Sequence, residues 1–230
     1  MGGAGGAGEG GAVTAYNPCP TTGTCFVMPV GDSITDGAGS SDSSSYRKEL
    51  RVLAEVDGLA LDFVGTVAGP SGHHDGHSGW IIQQIRDNID AFTAECTDST
   101  DTHKTPHVVL LMIGTNDTNN DIDLANAPAR LGDLMDRIAV DVPDALLVVA
   151  QITPNGDQNK DTTKVAPFNA AIPELVATRA ALGQHVVMVD MHSALDPAVD
   201  LPDGLHPNDA GYVKMADAWY AVLGPLLPPG

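Results

Sequence analysis

From Phe26 onward the chain alternates short apolar runs with longer amphipathic stretches, and this alternation constrains the fold more than any other feature. The runs at 26–30, 61–65, 107–113, 145–152 and 185–189 are rich in Val, Leu and Ile. Several are almost continuously apolar, as strands covered on both faces must be. Helical spacing fills the intervals: Leu50 and Leu53 within 46–56, then Ile81, Ile82, Ile85 and Ile89, then Leu131, Leu134, Met135 and Ile138. Two further helical stretches span about 165–182 and 209–223. Strand–helix alternation of this kind predicts right-handed crossovers and a parallel sheet with helices on both faces. The expected fold is a single α/β domain, a three-layer sandwich around a five-stranded parallel sheet.

In such sheets ligands bind beyond the carboxyl ends of the strands. Four short segments fall there: Gly31-Asp32-Ser33-Ile34-Thr35 after the first strand, Gly76-His77-Ser78-Gly79-Trp80 after the second, Gly114-Thr115-Asn116-Asp117 after the third, and Asp203-Gly204-Leu205-His206-Pro207 after the fifth. Four dispersed segments therefore converge on one edge of one sheet.

Their residue types fit ester cleavage. A serine hydroxyl needs a base to take its proton, and His206 is the candidate base for Ser33. Asp203, three residues before His206, can fix the ring's tautomer and stabilise its cationic form. Asn116 can donate to a developing oxyanion, with the backbone N–H groups of Ser33 and Gly79 completing a three-donor hole. Taken singly, each has a plainer reading. Ser33 could cap a helix, Asn116 could form an Asx turn, and Asp203-Gly204 could be an ordinary turn before an exposed histidine. None of these explains why all four gather at one sheet edge.

Composition limits the alternatives. A net charge of -19 disfavours nucleic acid and anionic membranes, since both need clustered Lys and Arg. No apolar stretch is long enough to span a bilayer. An acidic surface also favours a dispersed monomer. Of the three cysteines, Cys19 and Cys25 are close enough to staple the segment before the first strand, leaving Cys96 as a free thiol near a helix end. Such a staple fits an oxidising compartment. Residues 1–18 open on a Gly/Ala-rich run that reads as a flexible linker, leaving 19–230 as the catalytic domain.

The four segments resemble the blocks of the SGNH-hydrolase (GDSL-like) superfamily, over the stretch from Phe26 to about Tyr220. Within it, His77-Ser78-Gly79-Trp80 and the run from Asn116 to Ile122 are similar to acetylxylan esterases of carbohydrate esterase family three. The resemblance implies a flavodoxin-like sheet, an acyl-serine intermediate and no obligatory metal or other cofactor. By position it makes Ser33 the nucleophile, His206 the base, Asp203 the orienting acid, and Ser33, Gly79 and Asn116 the oxyanion donors. Asp32, His77, Trp80 and Asp117 become candidates to contact the substrate. No Gly-x-Ser-x-Gly elbow surrounds Ser33, which argues against the α/β-hydrolase fold. The expected activity is that of a secreted or extracellular serine esterase taking short acyl groups, acetyl above all, from a carbohydrate such as xylan. A general short-chain aryl or alkyl esterase of the same fold is the near alternative.

Two readings come from other classes. His73, His74, Asp75 and His77 could hold zinc in a metal-dependent deacetylase, and the Asp-rich run 117–123 could hold calcium, although its spacing is not that of an EF-hand. A non-catalytic carbohydrate-binding protein would use Trp80 and Trp219 as exposed platforms, but such platforms usually need more aromatics than this chain has.

Overall fold

The computed structural model describes residues 16–227. In chain order the elements are β1 (Cys25–Gly31), α1 (Ser33–Asp36), α2 (Arg47–Val56), β2 (Leu61–Phe63), β3 (Asp75–Gly76), α3 (Ile82–Glu95), β4 (Val108–Met112) and α4 (Thr115–Asn119). They continue with α5 (Ala127–Asp141), β5 (Leu146–Ala150), α6 (Gln158–Lys160), α7 (Ala166–Ala181), β6 (Val186–Val189), α8 (Pro197–Asp200) and α9 (Asp209–Leu223). The strands run in the order β2-β1-β4-β5-β6, all neighbours parallel.

The five expected strands are therefore present, with a sixth that the apolar pattern did not signal. β3 is only Asp75–Gly76, and it continues the edge of β1 where β2 ends, pairing Val30 with Asp75 and Gly31 with Gly76. A two-residue Asp-Gly pairing carries no hydrophobic period, so sequence patterning cannot find it. Short helical turns, α1 and α4, follow β1 and β4 almost directly.

From β1 the chain steps outward to β2, then reverses and crosses to β4 on the other side of β1. Right-handed crossovers place α2 on one face and α3, α5 and α7 on the other. α3 packs on α5 and α5 on α7, while α2 packs on α9. The reversal makes the carboxyl ends of β1 and β4 the switch point of the sheet, the place where sheets of this kind take their ligands. β4 and β5 are buried along their whole length, covered by layers that include Ile85, Ile89, Leu134, Met135, Leu50 and Trp219.

Cys19 and Cys25 form a disulfide, and Cys96 is a buried free thiol at the end of α3. The expected linker 1–18 falls outside the described residues except for its last three. There Tyr16 stacks on His185 with ring centroids 3.4 Å apart and its hydroxyl donates to the Asp144 carbonyl. The folded domain thus includes Tyr16, and the boundary at 18 is corrected accordingly. Trp219 is fully buried against Tyr46, which removes it as an exposed sugar platform.

Candidate active site

Ser33 is the first residue of α1, presented directly beyond β1. Asp32 caps this turn, its Oδ1 accepting the Ile34 N–H at 3.0 Å. Ser33 Oγ lies 2.9 Å from His206 Nε2, and His206 Nδ1 lies 2.7 Å from Asp203 Oδ2. The other Asp203 oxygen accepts the backbone N–H groups of Leu205 and His206, at 2.9 and 2.7 Å. Burial alone would raise the Asp203 carboxyl, but these hydrogen bonds from His206 and Leu205 outweigh it and hold the group down at about 2. The acid is therefore an anion across the neutral range, facing a ring that must carry its Nδ1 proton toward it.

Asn116 follows β4 in α4 and is almost buried. One hydrogen of its amide is committed: Nδ2 donates to the Trp80 carbonyl at 2.9 Å. Trp80 ends the turn His77-Ser78-Gly79-Trp80, which is closed by Trp80 N–H donating to the His77 carbonyl at 3.1 Å. Gly79 sits in that turn at φ 82 with open space where a side chain would stand, so its glycine serves backbone conformation and not packing. Ser78 Oγ donates to Asp36 Oδ2 at 2.6 Å, joining the Gly79 turn to the turn that carries Ser33. Hydrogen bonds thus link Asn116, the turn of Gly79 and the turn of Ser33.

The four candidates for substrate contact divide. Asp117 is fully buried, with Oδ2 accepting the Ile82 N–H at 3.0 Å and Oδ1 paired with Arg130 at 2.6 Å. Asp32 is also fully buried. A carboxylate with no exposed surface cannot meet a substrate, so both expectations are corrected: Asp117 caps α3 and holds Arg130, and Asp32 caps α1. Burial raises the Asp32 carboxyl to about 6, against a partly offsetting hydrogen bond from the Ile34 backbone. Trp80 is half-buried, and His77, Trp80 and Phe92 form one aromatic cluster, with His77 4.2 Å from Trp80 and 4.8 Å from Phe92 and the latter two 6.1 Å apart.

The histidine loop does not assemble a metal site. His73 Nδ1 bonds Thr97, His74 Nδ1 accepts the Gly76 N–H at 3.0 Å, and the buried Asp75 accepts from Thr66. Desolvation lowers His74 to about 3, so it is neutral. Among the described residues no three metal-ligating side chains converge. The acidic run 117–123 is likewise committed, Asp117 and Asp123 to Arg130 and Asp121 to Lys164.

Sequence reasoning overlooked the carbonyl of Trp80 and the Ser78–Asp36 bond, because neither a backbone oxygen nor an exposed serine marks itself in a sequence.

Residues 30–214 match the GDSL-like lipase/acylhydrolase family. The chain is 29% identical over 223 residues to a multidomain esterase of Ruminococcus flavefaciens, covering 86% of this chain and 28% of that relative. It spans all of the solved family 3 carbohydrate esterase of Clostridium thermocellum, with 36% identity, 90% of this chain covered and a TM-score of 0.76. The corresponding figures for a family 3 carbohydrate esterase from Talaromyces cellulolyticus are 25% identity, 88% of this chain, 97% of that one and a TM-score of 0.71. The chain belongs to the GDSL-like lipase/acylhydrolase family.

Proposed function

We propose that this esterase removes acetyl groups from a carbohydrate such as xylan through an acetyl-Ser33 intermediate. The observation that carries the mechanism is the unbroken Ser33–His206–Asp203 hydrogen-bond chain. His206 Nε2 takes the Ser33 proton as Oγ attacks the ester carbonyl. Asp203 accepts the Nδ1–H and stabilises the imidazolium that results. The tetrahedral oxyanion receives the N–H groups of Ser33 and Gly79 and the second Asn116 amide hydrogen, the first being held by the Trp80 carbonyl. Collapse expels the sugar hydroxyl, which takes the proton from His206. Water then attacks the acetyl-Ser33 carbonyl with His206 again as base, releasing acetate and restoring the serine.

The carbohydrate substrate rests on the two family 3 carbohydrate esterases among the similar structures. The Cys19–Cys25 disulfide supports an extracellular setting for the enzyme, since such bonds persist in oxidising compartments. A serine-directed organophosphate tests the mechanism. Stoichiometric modification of Ser33 with loss of activity is expected; retention of full activity with Ser33 unmodified would overturn it.

A further inference from the structure

The turn that carries the acid and the base is exposed: the Asp203 side chain retains 57% of its surface. Its internal bonds fix Asp203 relative to His206, but they do not fix the pair relative to Ser33. An outside brace reaches it from the segment after β5. Gly156 N–H donates to the Gly204 carbonyl at 2.8 Å, between Asp203 and His206 in the chain. The approach is so close that a Cβ on Gly156 would stand 2.6 Å from the Gly204 Cα. Gly156 is exposed and needs no positive φ, so this contact is the only steric reason for glycine there.

The bracing segment is itself anchored. Asn155 N–H donates to Asp161 Oδ1 at 2.9 Å, and the same oxygen meets His192 Nε2 at 3.1 Å, just beyond β6. Asn155 Oδ1 accepts the Asp157 N–H at 2.9 Å, and Lys160 reaches Asn119 Oδ1 at 2.7 Å, at the end of the turn that holds Asn116. The segment 155–161 therefore bridges the oxyanion side of the site, the end of β6 and the Asp203–His206 turn.

We propose that Gly156 and Asp161 are positioning residues of this esterase, setting the Asp203–His206 pair against Ser33 through the Gly156–Gly204 contact. The inference rests on the triad reading above. It assigns a working role to a segment remote in sequence from all four blocks.

The test compares Gly156→Ala, Asp161→Ala and Asp161→Asn with the unmodified enzyme and Ser33→Ala, using p-nitrophenyl acetate across pH. Displacing the pair should lower kcat by roughly tenfold to a hundredfold in Gly156→Ala with KM little changed, as expected for misplacement of reacting groups by about 1 Å. Because the internal bonds keep Asp203 on His206 while the pair shifts as a unit, the acid limb of kcat/KM should stay where it is. Asp161→Ala should behave alike, and Asp161→Asn, which keeps an acceptor for Asn155, should recover most of the rate. Wild-type kcat in Gly156→Ala would overturn the proposal. So would an acid limb displaced along with the fall in kcat, which would mean that Asp203 had left His206, or equal losses in Asp161→Asn and Asp161→Ala. Activity surviving in Ser33→Ala would instead overturn the triad reading, so the two failures are distinguishable.

Discussion

Ser33 Oγ and His206 Nε2 stand 2.9 Å apart although 173 positions separate them in the chain. The sheet makes this contact: β1 delivers the serine, and the segment between β6 and α9 returns the histidine over the same carboxyl edge. The groups that perform the proposed chemistry are local in space because a parallel sheet exposes all its strand ends on one side.

The Asp203→Asn variant separates geometry from charge. An amide can keep a contact to His206 Nδ1 but favours the wrong tautomer, leaving Nε2 protonated and unable to take the Ser33 proton. The kcat on p-nitrophenyl acetate should fall by on the order of 10⁴, the scale seen when a triad aspartate is changed this way. A loss under tenfold would remove Asp203 from the mechanism.

Asn116→Ala should lower kcat by about 10²–10³ while activity stays measurable, because two backbone donors remain. The change also frees the Trp80 carbonyl from its bond to Nδ2. Steady-state kinetics on the same ester check this, and an unchanged kcat would exclude the amide from the oxyanion hole.

Asp32 ties stability to pH with a definite sign. Its carboxyl sits at about 6 in the fold against an ordinary 3.8, so the folded state holds the proton more tightly than the unfolded chain. This contribution is complete below about pH 4 and is lost as the pH rises through about 6. The shift corresponds to about 3 kcal/mol. Asp32→Asn, which keeps an acceptor for the Ile34 N–H, should raise the thermal midpoint at pH 8 and have little effect at pH 4. Thermal unfolding at the two pH values checks the difference.

Salt should stabilise this chain. Arg47 is spent on the backbone carbonyls of Thr35, Asp36 and Ser43, and Lys160 on Asn119. Every other Lys and Arg pairs with an aspartate. The net charge of -19 therefore remains as carboxylates repelling one another. Screening that repulsion should outweigh the weakening of exposed pairs. The thermal midpoint should rise between low salt and about 1 M NaCl, where the Debye length falls to about 3 Å; a fall would mean that the pairs dominate.

The strands and long helices were legible because each buries a large apolar face, and burial leaves a period in the sequence. Ser33, Asn116, Asp203 and His206 were legible because their types and spacing match one chemistry at strand ends. Asp32 and Asp117 were misplaced as substrate contacts, since a carboxylate inside a motif looks the same whether it faces a ligand or caps a helix. Burial alone distinguishes the two. β3 and the Gly156–Gly204 brace were invisible for a related reason: backbone pairing between chain segments requires no particular side chain.

Acetate release from acetylated xylan, followed for the native enzyme and Ser33→Ala with and without EDTA, tests the central claim most directly. The account predicts release that is unaffected by EDTA and abolished in Ser33→Ala. Release that persists in Ser33→Ala and vanishes with EDTA would contradict it and transfer the chemistry to a metal.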